Sequence, residues 1–159
     1  MEKLWAPWRE KYLYGQKEKK CVFCIEKKKD KSYDKKHLII YRGKYCFSIL
    51  NKYPYNNGHI MVVPYRHINA IEKLADKEIL EMFKIIKRTK EILDDKLHPG
   101  GYNIGMNLGR TAGAGITGHI HIHIVPRWDG DANFMAILGN TRVISQSLNA
   151  LYDIMVKSL

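Results

Sequence analysis

Residues 119 to 125 read His-Ile-His-Ile-His-Ile-Val, and the chain's chemistry is concentrated in that run. Extended backbone sends successive side chains to opposite faces, so His119, His121 and His123 share one face and Ile120, Ile122 and Ile124 the other. The isoleucines suit a core. The imidazoles are hard to explain as packing, because each ring must be hydrated or hydrogen-bonded; an exposed sheet face with incidental histidines is the bland alternative. Two functional alternatives stand beside it. Histidines two apart on a strand could ligate a catalytic zinc. Otherwise one imidazole attacks phosphorus while its neighbours orient it and bind phosphate oxygens. The preceding loop favours the second. Between Asn107 and Gly118 it is rich in glycines, Gly113 and Gly115 among them, with Thr117 close by, so backbone N–H groups could approach an anion closely. Pro126-Arg127-Trp128 follows directly.

A second cluster is Cys21-Val-Phe-Cys24, which has the spacing of a metal knuckle and needs two further ligands; two buried cysteines are the competing reading. Three cysteines are odd in number and too few for a disulfide framework, which fits a reducing compartment. The N-terminus carries two tryptophans and mixed charge where a signal peptide would be apolar, and no apolar run is long enough to cross a bilayer. A cytoplasmic protein with no membrane partner is expected. Lys plus Arg number 27 against 16 acidic residues, a formal charge of +11, so the surface should attract polyanions, for which nucleotide phosphates and nucleic acid both qualify. Much of this charge lies in Lys17 to Lys36, which reads as a solvated segment.

These residues need a scaffold. Leu4, Trp5, Trp8, Tyr12 and Leu13 recur at helical spacing and predict an N-terminal arm over residues 1–20. Strand-like runs cover His37 to Tyr41, Tyr45 to Leu50 and His59 to Pro64, with Arg42-Gly43-Lys44 as a tight turn. Asp76 is a candidate N-cap for a long helix whose apolar positions include Ile79, Phe83, Ile86, Leu93 and Leu97. Two more strands are predicted over Tyr102 to Asn107 and His119 to Val125, and a last helix within Val143 to Leu159. The sum is one α+β domain over residues 1–159, with an antiparallel sheet of about five strands.

The His-φ-His-φ-His-φ-φ pattern resembles the signature of the histidine triad superfamily of nucleotidyl hydrolases and transferases. The similarity extends to Asn51, to Gly58-His59-Ile-Met-Val-Val-Pro64 and to Asn107-x-Gly-x-x-Ala-Gly113, and so covers residues 21 to 135. Leu4-Trp-Ala-Pro-Trp-Arg9, Leu50-Asn-Lys-Tyr-Pro-Tyr-Asn56 and Val125 to Phe134 look like the bacterial diadenosine tetraphosphate phosphorylase branch.

The resemblance implies roles. His121 would be the nucleophile, forming a covalent nucleotidyl intermediate at the α-phosphorus of a dinucleoside polyphosphate. His123 would contact the transferred phosphate, His59 is the upstream active-site histidine, and Asn51 would bind the ribose. Trp128 leans toward the substrate pocket, with sealing of the sheet edge as its alternative. A structural zinc would be completed by His67 and His119 beside Cys21 and Cys24. A homodimer is expected, and no organic cofactor. Many hydrolase members carry a glutamine before the triad where this chain has Ala112-Gly-Ala-Gly-Ile-Thr117. Small residues there leave room for inorganic phosphate as second acceptor, which favours a phosphorylase over a dinucleotide hydrolase or a phosphoramidase. A nucleic-acid-binding or DNA-deadenylating protein is the rival from another class, but no basic and aromatic interleaving supports it.

Overall fold

A computed structural model describes residues 21–25, 30–131 and 144–159. The predicted arm over residues 1–20, with its Leu4 to Arg9 motif, lies outside the described residues, as do residues 132–143.

The chain order is α1 (Lys31–His37), β1 (Ile39–Arg42), β2 (Cys46–Leu50), β3 (Ile60–Pro64), a 3-10 turn at Ile71–Lys73, α2 (Asp76–Leu97), β4 (Gly101–Gly105), β5 (Ile122–Arg127) and α3 (Leu148–Lys157). The five strands form one antiparallel sheet in the order β1-β2-β3-β5-β4. The predicted α+β class and strand count hold.

Both sheet faces are covered, which is why β2 and β3 read as continuous apolar runs. Cys46, Leu50, Ile60, Val62, Ile122 and Ile124 pack with the inner sides of α2 and α3. The opposite face gathers Ile39, Phe47, Ile49, Met61 and Val63 around Phe23. Met61 pairs with His123, so the histidines belong to this second face.

Several boundaries differ from expectation. The lysine-rich stretch closes in α1, capped by Asp30 Oδ1 accepting from Tyr33 N at 2.8 Å, so His37 ends a helix instead of opening a strand. The N-cap of α2 is Ala75, one residue before Asp76; Glu78 accepts the Ala75 N–H and supplies half of a capping box. Its core side is Met82, Ile85, Ile86, Ile92 and Leu93, whereas Ile79 and Phe83 face outward at 39% and 58% exposure. Strand β4 is shifted toward the N-terminus, ending at Gly105. In β5 the ladder begins at Ile122, so His119 and His121 lie on the segment that enters it.

Two carboxylates on α2 fix the helix to the sheet. Glu81 accepts from the amides of Lys44, Tyr45 and Cys46 at 2.6–2.9 Å, filling the β1–β2 turn where a Cβ on Gly43 would meet it at 2.8 Å. Glu78, buried, pairs with Arg66 (Nε to Oε1 2.8 Å), which also donates to Lys73 O. That contact anchors the residue next to His67.

Candidate functional site

His59, at the mouth of β3, and His123, on β5, are brought together across the β3–β5 pair. His59 Nε2 lies 2.9 Å from His123 Nδ1. The proton positions follow from the donors around them. Tyr55 N donates to His59 Nδ1 at 3.0 Å, and Asn51 Nδ2 lies 3.3 Å from the same nitrogen. A neutral His59 therefore carries its hydrogen on Nε2 and donates it to His123 Nδ1. His123 is left with its hydrogen on Nε2, a buried atom with no partner among the described residues.

His121 has the opposite arrangement. Its Nδ1 donates to the His119 carbonyl at 2.9 Å, which leaves the lone pair on Nε2. Its ring is flanked by His123, centroids 4.7 Å apart at 77°, and by Phe23, 4.9 Å away at 52°.

Burial keeps the group neutral. It drives His59 down to about 3, helped by the nearby His123 and His121, and His123 down to about 4, helped by His121. His121 is lowered by burial, partly offset by its bond to the His119 carbonyl. At neutral pH these rings therefore present lone pairs and N–H donors, with no imidazolium among the three.

His119 turns away from this group. Its Nε2 donates to Pro64 O at 2.8 Å, so Nδ1 faces Cys21 Sγ at 3.5 Å and Cys24 Sγ at 3.9 Å. His67 Nδ1 is 3.3 Å from Cys24 Sγ. The four ligand atoms of Cys21, Cys24, His67 and His119 lie within 4.8 Å of one another. Tetrahedral bonds of about 2.0–2.3 Å to one zinc ion imply edges of roughly 3.3–3.8 Å, so the donor set and spacing fit. Both histidine nitrogens that face the thiols are Nδ1, and the Pro64 carbonyl fixes the tautomer of His119 in the manner of an outer-shell ligand partner.

The other expected residues are placed as follows. Asn51 accepts from Tyr53 N through Oδ1 at 2.9 Å and turns its amide to His59. Gly109 and Gly113 adopt φ of +85° and +88°, a left-handed conformation suited to glycine. Ala114 N donates to Gly109 O and Gly113 N to Arg110 O, so two loop amides are spent inside the loop. Asn107 lies beside Gly113, while Gly115 and Thr117 are exposed. The Trp128 indole donates to Leu97 O at the end of α2, 3.1 Å away, which commits its N–H to the helix terminus. Sequence reasoning missed Phe23 and the Tyr55 amide; the first was visible as the apolar residue inside the Cys-x-x-Cys knuckle, and the second has no side-chain signature.

The model of the HIT domain family matches residues 32–130. The AP-4-A phosphorylase of Mycobacterium tuberculosis is 38% identical over 154 residues, 93% of this chain and 79% of that protein. The asymmetrical bis(5'-nucleosyl)-tetraphosphatase of Schizosaccharomyces pombe is 28% identical over 93 residues, 58% of this chain and 50% of that one. A solved Zn-bound histidine triad family protein from Mycobacterium smegmatis superposes with a TM-score of 0.66 at 24% identity, covering 87% of this chain and 91% of the other, and supports the fold.

Proposed function

The chain belongs to the HIT domain family of nucleotide-processing enzymes, and from that premise we propose that it cleaves dinucleoside polyphosphates of the diadenosine tetraphosphate kind at the α-phosphorus. The observation that carries this reading is the tautomer of His121, whose Nδ1–H is spent on the His119 carbonyl so that Nε2 offers its lone pair. In the first step that lone pair forms an N–P bond to the α-phosphorus. The bridging P–O bond breaks, and ATP leaves with the electron pair. His123 Nε2–H donates to the transferred phosphate, since it is a buried donor with no protein acceptor among the described residues. His59 holds His123 in the donating tautomer, and Asn51, on the same ring, binds the ribose. Asn107, Gly113, Gly115 and Thr117 border the phosphates, and Trp128 contributes its ring to the substrate pocket.

In the second step an oxygen of inorganic phosphate attacks the same phosphorus and His121 leaves, giving ADP. The small residues Ala112 to Gly115 support this choice of acceptor, as does the name of the mycobacterial relative. A structural zinc held by Cys21, Cys24, His67 and His119 would tether the knuckle to the segment entering β5. The enzyme would act in the cytoplasm as a homodimer of single-domain chains; among the described residues no helix is long and apolar enough to cross a membrane.

The test is product analysis with diadenosine tetraphosphate, with and without phosphate. ADP plus ATP, formed at a rate that rises with phosphate, is expected. AMP plus ATP at a phosphate-independent rate would make the protein a hydrolase, the reading favoured by its likeness to the fission-yeast tetraphosphatase.

A further inference from the structure

We propose that Phe23 is a positioning residue for His121, and that a metal ion on the knuckle holding Phe23 determines how firmly it is seated. This rests on His121 being the nucleophile.

An imidazole anchored by a single hydrogen bond still has freedom to rotate and tilt, and attack on phosphorus tolerates little misalignment. Among the described residues His121 makes one hydrogen bond, from Nδ1 to the His119 carbonyl, which leaves the ring's orientation to its packing. Two rings pack against it. His123 meets it nearly edge-on, and Phe23 covers it at 4.9 Å. Phe23 is 1% exposed and also meets His119 edge-on at 5.6 Å, so one side chain touches both the nucleophile and a ligand of the metal cluster.

Its own seat is unusual. Phe23 comes from neither a strand nor a helix but from the turn between Cys21 and Cys24, closed by Cys24 N to Cys21 O at 3.0 Å and Ile25 N to Phe23 O at 2.9 Å. Among the described residues, the backbone hydrogen bonds of this segment are internal to it. Its polar side-chain contacts with the rest of the fold are the two thiols against His67 and His119. A metal bound there would join the turn to both histidines and clamp Phe23 against His121. Without the clamp, Phe23 is held by its apolar contacts alone.

The test uses the zinc-loaded protein, Phe23→Leu and Phe23→Ala, with metal content and thermal unfolding measured on each. The direct readout is the side-chain nitrogen spectrum of His121, which reports tautomer and does not depend on any substrate. The unmodified protein should show one tautomer, with hydrogen on Nδ1. Phe23→Ala, with zinc retained, should show a mixture, and so should the unmodified protein after chelation. In turnover, Phe23→Ala should lower kcat by about 10- to 100-fold, the scale of a misplaced reacting group, with KM changed less than about threefold. Phe23→Leu, which keeps the bulk, should recover most of kcat and show one tautomer; if the alanine variant does not fold, the chelated unmodified protein carries the test. A single unchanged tautomer in Phe23→Ala, or in the chelated protein, overturns the proposal. A loss confined to KM also overturns it, because Phe23 would then be a substrate contact. If the unmodified protein turned over no dinucleotide, the proposed function would fail while the tautomer spectra still decided the role of Phe23.

Discussion

Acid should unfold this protein early, and the size of the effect can be worked from two histidines. His59 and His123 are 1% and 8% exposed, and burial lowers them from 6.5 to about 3 and about 4. The folded values are depressed, so as pH falls the unfolded chain takes up protons first. The stability held by keeping these rings neutral is therefore complete above pH 6.5 and is lost as pH falls toward the folded values. Each group contributes about 1.4 kcal/mol per pH unit inside that window, so the two together remove about 4 kcal/mol between pH 7 and pH 5. Against a total of about 5–15 kcal/mol for a domain, that is a large share. Urea unfolding at pH 7, 6 and 5 at fixed ionic strength measures it. His59→Gln removes one titrating ring and should reduce the loss by roughly half, whereas proton-driven release of metal from the cysteine cluster would persist in that variant. A loss below about 1 kcal/mol in the unmodified protein, or an identical pH slope in His59→Gln, would refute the neutral, buried pair.

Three further outcomes are expected. His121→Ala should lower turnover by at least ~10³-fold and abolish the nucleotidyl-protein adduct that the unmodified protein is expected to give by mass spectrometry in single-turnover experiments. Cys24→Ser should reduce zinc content well below one per chain, read by elemental analysis of protein purified without chelator, and lower the unfolding temperature; retention of a full equivalent would remove Cys24 from the ligand set. Glu81→Ala should destabilise the fold by about 2–3 kcal/mol in urea by stripping the acceptor from the Lys44, Tyr45 and Cys46 amides, with kcat per folded molecule unchanged.

What could be read from the sequence divides along physical lines. Alternation across His119 to Val125 put the three histidines opposite the isoleucines, and the sheet-face composition agrees for His123, Ile122 and Ile124. Strands β1 to β3 fell within two residues of expectation because their apolar runs are bounded by strong turn residues. The inner side of α2 was less legible. Ile79 and Phe83 fit a helical period as well as Met82 and Ile85 do, and only the position of the sheet decides which set is buried. Glu78 is the same lesson reversed: a glutamate at a helix start looks like a dipole contact, yet it is buried because Arg66 comes to it from the end of β3. Cys21, Cys24, His67 and His119 were assembled by family resemblance, since nothing local links positions 24 and 67; the fold brings them together through the chain's crossing from β3 past the segment that enters β5.

Alternation places rings, but it does not say which nitrogen of a ring is free, and here the free nitrogen separates the three chemistries. His119 spends Nε2 on Pro64 and turns Nδ1 to the thiols; His121 spends Nδ1 on the His119 carbonyl and keeps Nε2; His123 receives on Nδ1 and so must carry hydrogen on Nε2. Two of these partners are backbone carbonyls, and the third depends on the Tyr55 amide acting through His59. Backbone acceptors survive side-chain substitution, so chain geometry fixes which nitrogen of His119 and of His121 has an acceptor, although His121 reaches its own only while its ring is held against that carbonyl. His123 differs. Its tautomer depends on another imidazole, so replacing His59 should change which nitrogen His123 offers, with its ring still in place. The position with the firmest tautomer is then the one proposed for the metal. His123, the proposed donor to phosphate, is the one whose tautomer a second imidazole sets.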